Sequence, residues 1–253
     1  MTLTQIIKKI ARKLGIITIP NNIEGIYSAD VPASQIEIYK KVKPYTMTSP
    51  ERIFSLCNAV QYIHEKNIEG DIVECGVWKG GSMMAIAETL LSSGDTSRNL
   101  YLFDTFEGMT PPTDNDVDIS GVSAESLLER SDKMKDESVW CCASLEVVKS
   151  AVNGTGYPSN KIHFVKGMVE QTIPDFAPPK IALLRLDTDW YESTKHEMEH
   201  LFPRLSKGGV LIIDDYGHWQ GARKAVDEYL ENNKVKILLN RIDYTGRIAV
   251  KVE

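Results

Sequence analysis

Short apolar runs alternate along this chain with stretches whose apolar residues fall at every third or fourth position. The runs are Asp71–Cys75, Asn99–Phe103, Lys161–Val165, Ile181–Leu186 and Val210–Ile213. Val/Ile/Leu runs this short read as parallel strands buried on both faces. Between them the period becomes helical. Ser49-Pro50-Glu51 places a good N-cap and a first-turn proline ahead of Ile53, Leu56, Val60 and Ile63, predicting a helix to about Lys66. Met83, Ile86, Ala87 and Leu90 mark a second helix, Thr194, Met198, Leu201 and Leu205 a third, and Ala222, Ala225, Val226 and Tyr229 a fourth. Val235–Leu239 and Arg247–Val252 read as a closing hairpin turned at Gly246, which adds one antiparallel strand. Strands alternating with helices predict an α/β fold, a doubly wound and mostly parallel sheet with helices on both faces.

The ends and the middle depart from this rhythm. Thr4–Leu14 reads as a basic amphipathic helix, Ile16–Asn22 as a linker and Ile36–Val42 as a short helix, giving an N-terminal helical extension over residues 1–69 that packs on a core domain at 70–253. Residues 105–160 form a long irregular stretch with helices expected near Ala124–Lys133 and Ser144–Val152. An insertion this long at a sheet edge usually serves as a lid or a specificity region. A length of 253 residues fits one large α/β domain with such embellishments. Net charge −6 argues against a nucleic-acid partner. No apolar run approaches the roughly 18 residues of a membrane span, so no membrane partner is expected. Cys57, Cys75, Cys141 and Cys142 form neither a CxxC pair nor a disulfide framework, which suits a reducing, cytoplasmic setting. The N-terminal helix invites a homodimer or higher homo-oligomer.

Candidate chemistry concentrates where two runs end in acid. Ile181–Leu186 leads into Asp187 and Asp189, and Val210–Ile213 into Asp214 and Asp215. Ligands of open α/β sheets bind beyond the carboxyl ends of the strands, and adjacent strands would gather all four carboxylates there. Their repulsion demands a positive partner, for which a hard divalent cation with oxygen ligands is the simplest candidate.

A second site opens after the first strand, in DIVECGVWKGGS. Gly76, Gly80 and Gly81 allow close backbone approach to a ligand, and the following helix offers free N–H groups. Asp104, at the tip of the second strand, is placed to accept from ribose hydroxyls. Trp78 stands where a dinucleotide fingerprint needs its second glycine, a loss that a ligand without a pyrophosphate would tolerate. S-adenosylmethionine is such a ligand, and Glu74 with nearby main-chain groups would face its ammonium and carboxylate.

VECGVWKGGS, LFDTFEGM, LRLDTDWYEST and GGVLIIDDYGHWQGARKAVDEY, in this order, resemble the macrocin O-methyltransferase family from about Tyr45 to Tyr229. The resemblance implies a class I methyltransferase sheet of seven strands. It also implies an enzyme that uses Mg²⁺ or Mn²⁺ and S-adenosylmethionine to methylate sugar hydroxyls of glycosylated small molecules. On it, Asp187, Asp214 and Asp215 match metal ligands and Asp189 the general base. Gly76, Gly80, Gly81 and Asp104 match cofactor contacts, a set that extends to Ser82, Thr105, Phe106 and Asp187. The motifs are also similar to those of catechol O-methyltransferase, a more distant relative in which the segment matching Gly167-Met168-Val169-Glu170 touches adenine. That relative uses a lysine base and an asparagine ligand, and this chain departs from both. Tyr45–Thr48 resembles a family segment near the cofactor.

Other features read more plainly. His218 lies three positions after Asp215 and either assists proton transfer or orients a carboxylate. Cys141 and Cys142 read as buried small hydrophobes. Asp114, Asp116 and Asp118 lack the EF-hand glycine and terminal glutamate, so they read as a solvated acidic loop. Two other functions compete with methyl transfer. Asp187-Thr188-Asp189 is a D-x-D triplet of the kind that holds Mn²⁺ and a nucleotide-sugar in glycosyltransferases, and a non-catalytic cofactor-binding protein is the third possibility.

Overall fold

The computed structural model describes residues 27–135 and 138–253. The helix expected at Thr4–Leu14 and the linker Ile16–Asn22 lie outside the described residues. The chain divides into two units, Met1–Pro32 and Ala33–Glu253. In the described part of the first, Val31 N–H donates to Ser28 O in a turn.

The second unit opens with helix α1 (Ala33–Val42) and helix α2 (Pro50–Glu65). Ser49 caps α2, its Oγ accepting from Arg52 N–H at 3.2 Å. Strand β1 (Asp71–Cys75), helix α3 (Gly81–Ser92) and strand β2 (Leu100–Asp104) follow, then helices α4 (Ala124–Arg130) and α5 (Leu145–Asn153) of the insertion. Strand β3 (Ile162–Lys166), the single turn α6 (Val169–Thr172), β4 (Ile181–Leu186), α7 (Tyr191–His200), β5 (Leu205–Ile213) and α8 (Gln220–Asn232) complete the alternation. The short strands β6 (Asn240–Arg241) and β7 (Arg247–Val250) close the chain.

The strands form one seven-stranded sheet ordered β3-β2-β1-β4-β5-β7-β6. β1 to β5 are parallel, and β7 runs antiparallel to both its neighbours. The strand expected at Val235–Leu239 is not formed. Val235, Ile237 and Leu239 pack against the core from an extended segment, and the ladder with β7 begins only at Asn240. The alternation therefore records burial rather than hydrogen bonding.

One core layer joins Val73, Cys75, Leu184, Leu186 and Leu211 of the sheet to Met198, Leu201 and Val226 of the α7–α8 side. β1 pairs with β2 on one side and β4 on the other, so strand order reverses between β1 and β4. Such a switch point opens a crevice beyond the strand ends. Among the described residues no helix is long and apolar enough to cross a membrane.

Candidate active site

β4 and β5 place their acidic ends side by side. Leu186 pairs with Ile213 in the parallel ladder, and Asp214 N–H donates to Leu186 O at 2.9 Å. Asp187, Asp189, Asp214 and Asp215 consequently line one cavity of about 390 Å³. The positive partner that their repulsion demands is in part the protein's own. Arg185, 2% exposed, donates through Nη1 to Glu74 Oε1 and Asp187 Oδ2 and through Nη2 to Asp214 Oδ1, each at 2.6 Å. Arg52 pairs with the other Asp214 oxygen, and its Nε lies 3.0 Å from Asp243 Oδ2. Two arginines are therefore part of the positive partner that the acids demand, a part the reading of a divalent cation as the simplest candidate did not include. The signal was present: Arg185 interrupts a strand buried on both faces, and a charge there must be paired.

Two guanidiniums do not neutralise six neighbouring carboxyl groups, those of Glu74, Asp187, Asp189, Asp214, Asp215 and Asp243. Burial pushes Asp189 up to about 7; its hydrogen bond to Asp215 opposes the rise, and Asp187 and Asp214 add to it. Burial also drives Asp187 and Asp215 well above the usual carboxylate range, with the crowded acids adding to the effect. One oxygen from each of Asp187, Asp214 and Asp215 lies within 4.8 Å of the others. Asp215 Oδ2 is buried without a protein partner. Converging oxygens, excess negative charge and an unsatisfied acceptor fit a hard divalent cation.

Asp189 has φ +67°, the left-handed region that few non-glycine residues enter. It does not cap the following helix. α7 begins at Tyr191, and Asp116 Oδ1 accepts from Tyr191 N–H at 2.7 Å. Asp116 is fully buried and also accepts from Thr113 N–H and Oγ1. The acidic loop is thus not simply solvated, because Asp116 anchors the insertion to the helix behind Asp189.

The glycine turn after β1 forms as expected, and its glycines also serve packing. A Cβ at Gly76 (φ +80°) would overlap the Asp187 carbonyl, and one at Gly80 (φ +90°) would come within 2.9 Å of Val152 on α5. One at Gly81 would come within 2.5 Å of Tyr45 O. Asp104 Oδ2 accepts from Val77 N–H at 2.6 Å and Trp78 N–H at 3.2 Å, and Oδ1 from Phe106 N–H at 2.6 Å. These bonds occupy most of the carboxylate's lone pairs. Asp104 therefore splints the two strand-end loops and also lines the cavity. Glu74 is 1% exposed; its Oε1 accepts from Arg185, and its Oε2 is buried without a protein partner.

Gly76, Gly81, Ser82, Asp104, Thr105, Gly167, Met168 and Asp187 all line the cavity, whereas Glu74, Gly80 and Phe106 lie behind its wall. Tyr45–Thr48 contributes as well. Glu170 Oε2, near the Gly167–Val169 wall, and His218 Nδ1, near the acids, are buried without partners. With the uncapped N-terminus of α3 at Gly81 and Ser82, Glu170 fits a polar ligand on the glycine-turn side. The acidic side is walled by His218, Trp219, Tyr244, Met109 and Thr110, with Ser138, Val139 and Cys141 from the insertion. Cys141 thus faces the cavity and is only partly buried. The insertion docks through Trp190 Nε1–H, which donates to Thr110 O at 2.9 Å, and through a cluster of Leu128, Trp190 and Trp219.

Residues 39–250 match the family model described as Macrocin-O-methyltransferase (TylF). The chain is similar, at 33% identity over 80% of its length and 74% of the relative's, to the 8-demethyl-8-(2,3-dimethoxy-alpha-L-rhamnosyl)-tetracenomycin-C 4'-O-methyltransferase of Streptomyces olivaceus. It is 30% identical, over 80% of its length and 76% of the relative's, to the Mycinamicin III 3''-O-methyltransferase of Micromonospora griseorubida. The solved structure of the O-methyltransferase NovP superposes with a TM-score of 0.72 at 27% identity, covering 83% of each chain. The D-x-D triplet accordingly does not mark a glycosyltransferase, and the site is not that of a non-catalytic binding protein. The chain belongs to the macrocin O-methyltransferase family and is an S-adenosylmethionine-dependent O-methyltransferase.

Proposed function

We propose that this enzyme methylates a sugar hydroxyl of a glycosylated small molecule, with a divalent cation held by Asp187, Asp214 and Asp215 and with Asp189 as general base. The observation that carries the reading is the convergence of these four aspartates on one cavity, with a buried Asp215 oxygen unsatisfied by protein. The relatives' names support the acceptor class: one is named for 4'-O-methylation of a rhamnosyl tetracenomycin.

Gly76–Trp78, Ser82 and Gly167–Glu170 would hold S-adenosylmethionine, which would supply an electrophilic methyl group. Asp187, Asp214 and Asp215 would hold a divalent cation, Mg²⁺ or Mn²⁺, which would supply Lewis acidity. The protein's own residues do the rest. Asp189 takes the hydroxyl proton onto its carboxylate as the oxygen attacks; the Asp215 carboxyl lines the same cavity beside it. Arg185 keeps Asp187 and Asp214 aimed at the cavity. His218, packed edge-on against Trp219 and Tyr244 with ring centroids 5.0 and 6.1 Å away, borders the acceptor and orients it. The insertion excludes water by closing the acidic side.

The test is methyl transfer from labelled S-adenosylmethionine across a panel of glycosides with free vicinal hydroxyls and their matched aglycones. Label appearing on the sugar supports the reading. Label confined to aglycone phenols, with every glycoside inert, refutes the acceptor class.

A further inference from the structure

We propose that Arg52 and a divalent cation compete for Asp214, and that Asp243 is the acceptor that receives Arg52 when the cation wins. This rests on the metal assignment made above.

Both Asp214 oxygens carry a guanidinium. Arg185 holds Oδ1 at 2.6 Å, and Arg52 holds Oδ2. The two arginines differ in their freedom to leave. Arg185 also neutralises Glu74 and Asp187, and Glu74 is 1% exposed, so moving Arg185 would strand a buried charge. Arg52 has no such duty. It lines the cavity, and its Nε already lies 3.0 Å from Asp243 Oδ2.

Asp243 is built to receive it. Its Oδ1 accepts from Gly246 N–H at 2.7 Å and Thr245 N–H at 3.0 Å, and its Oδ2 accepts from Ser49 Oγ–H at 2.7 Å. The acceptor is therefore fixed whichever partner Arg52 takes. The Arg52 stem passes Gly246 so closely that a Cβ there would come within 2.9 Å of Arg52 Cδ, which confines the guanidinium to a short path between Asp214 and Asp243. A cation shared by Asp187, Asp214 and Asp215 would meet the guanidinium charge at Asp214 Oδ2, and like charges at that range repel strongly away from bulk water. Moving Arg52 onto Asp243 removes the conflict and keeps the arginine paired.

Calorimetric titration of Mn²⁺ into the full chain, with thermal melts to confirm folding, tests the exchange in wild type, Arg52→Gln, Asp243→Asn and the double variant. Arg52→Gln should bind Mn²⁺ about tenfold more tightly, because affinity is no longer discounted by the fraction of molecules with Asp214 occupied. Asp243→Asn should bind more weakly, because Arg52 loses its alternative partner. In the double variant the Asp243 substitution should have no further effect, since there is no arginine to relocate. Unchanged or weaker binding by a folded Arg52→Gln would overturn the inference. So would additive effects in the double variant, which would reduce both residues to distant charges. Wild type that takes up no Mn²⁺ would instead remove the metal assignment on which the exchange depends.

Discussion

Asp189 holds φ +67° inside a half-buried acidic cluster, and Asp and Asn tolerate that backbone better than other side chains bearing a Cβ. Asp189→Asn should therefore leave the melting temperature and cofactor affinity near wild type while removing the base. We expect kcat to fall by roughly two orders of magnitude or more, the usual contribution of a positioned base. Single-turnover methylation checks this; a variant that keeps over about a tenth of the wild-type rate passes the role to His218. Asp104 calls for a different outcome. Its carboxylate holds three backbone amides, so Asp104→Ala leaves buried donors unpaired, at a cost of about 1–3 kcal/mol. Denaturant unfolding should show that loss together with weaker S-adenosylmethionine binding. Weaker binding at full stability would assign Asp104 to the ribose contact expected from sequence and not to the loops.

Among the elements, α7 shows how the insertion and the core depend on each other. Its N-cap residue, Trp190, gives no side-chain cap bond, and the first amide is met by Asp116, 75 positions earlier in the chain. Asp116→Ala should cost at least the ~0.5–2 kcal/mol of a lost cap. It should also loosen residues 113–124, read as faster amide exchange there. A stability loss without faster exchange in the insertion would confine Asp116 to the helix end. In β4, Arg185 sits opposite Glu74 in the ladder with β1. Breaking a buried pair from one side typically costs ~3–5 kcal/mol, so Arg185→Met should unfold at clearly lower denaturant concentration than wild type. An unchanged midpoint would show that the neighbouring acids simply take up protons in its place.

At the scale of the whole molecule, the sheet order puts β1 and β4 at the centre of the sheet and the active cavity at their carboxyl ends. The excess of acid over arginine there makes the effect of metal removal predictable. Exhaustive chelation should abolish methyl transfer, and added Mg²⁺ or Mn²⁺ should restore it, while the fold survives because Arg185 and Arg52 continue to pair the acids. A chelated enzyme that keeps full activity would refute the cation; one that unfolds would show that the two arginines do not suffice to hold the acids together.

The five parallel strands, their helices and the gathering of Asp187, Asp189, Asp214 and Asp215 were legible in the chain itself, because burial on a sheet or a helix imposes a short-range period and strand ends carry the ligand-facing residues. The family motifs added the metal and base assignments. What the local pattern could not supply was pairing between distant side chains. Arg52 meets Asp214 across 162 positions, and Glu74 meets Arg185 across 111. The same holds for the glycines: position in a turn shows that Gly76 and Gly80 are needed, but only the packed structure shows that Asp187 and α5, not a ligand, leave no room for a Cβ. Local sequence determines which residues are buried and where strands end; which charge lies beside which is decided by how separate elements come to rest against one another.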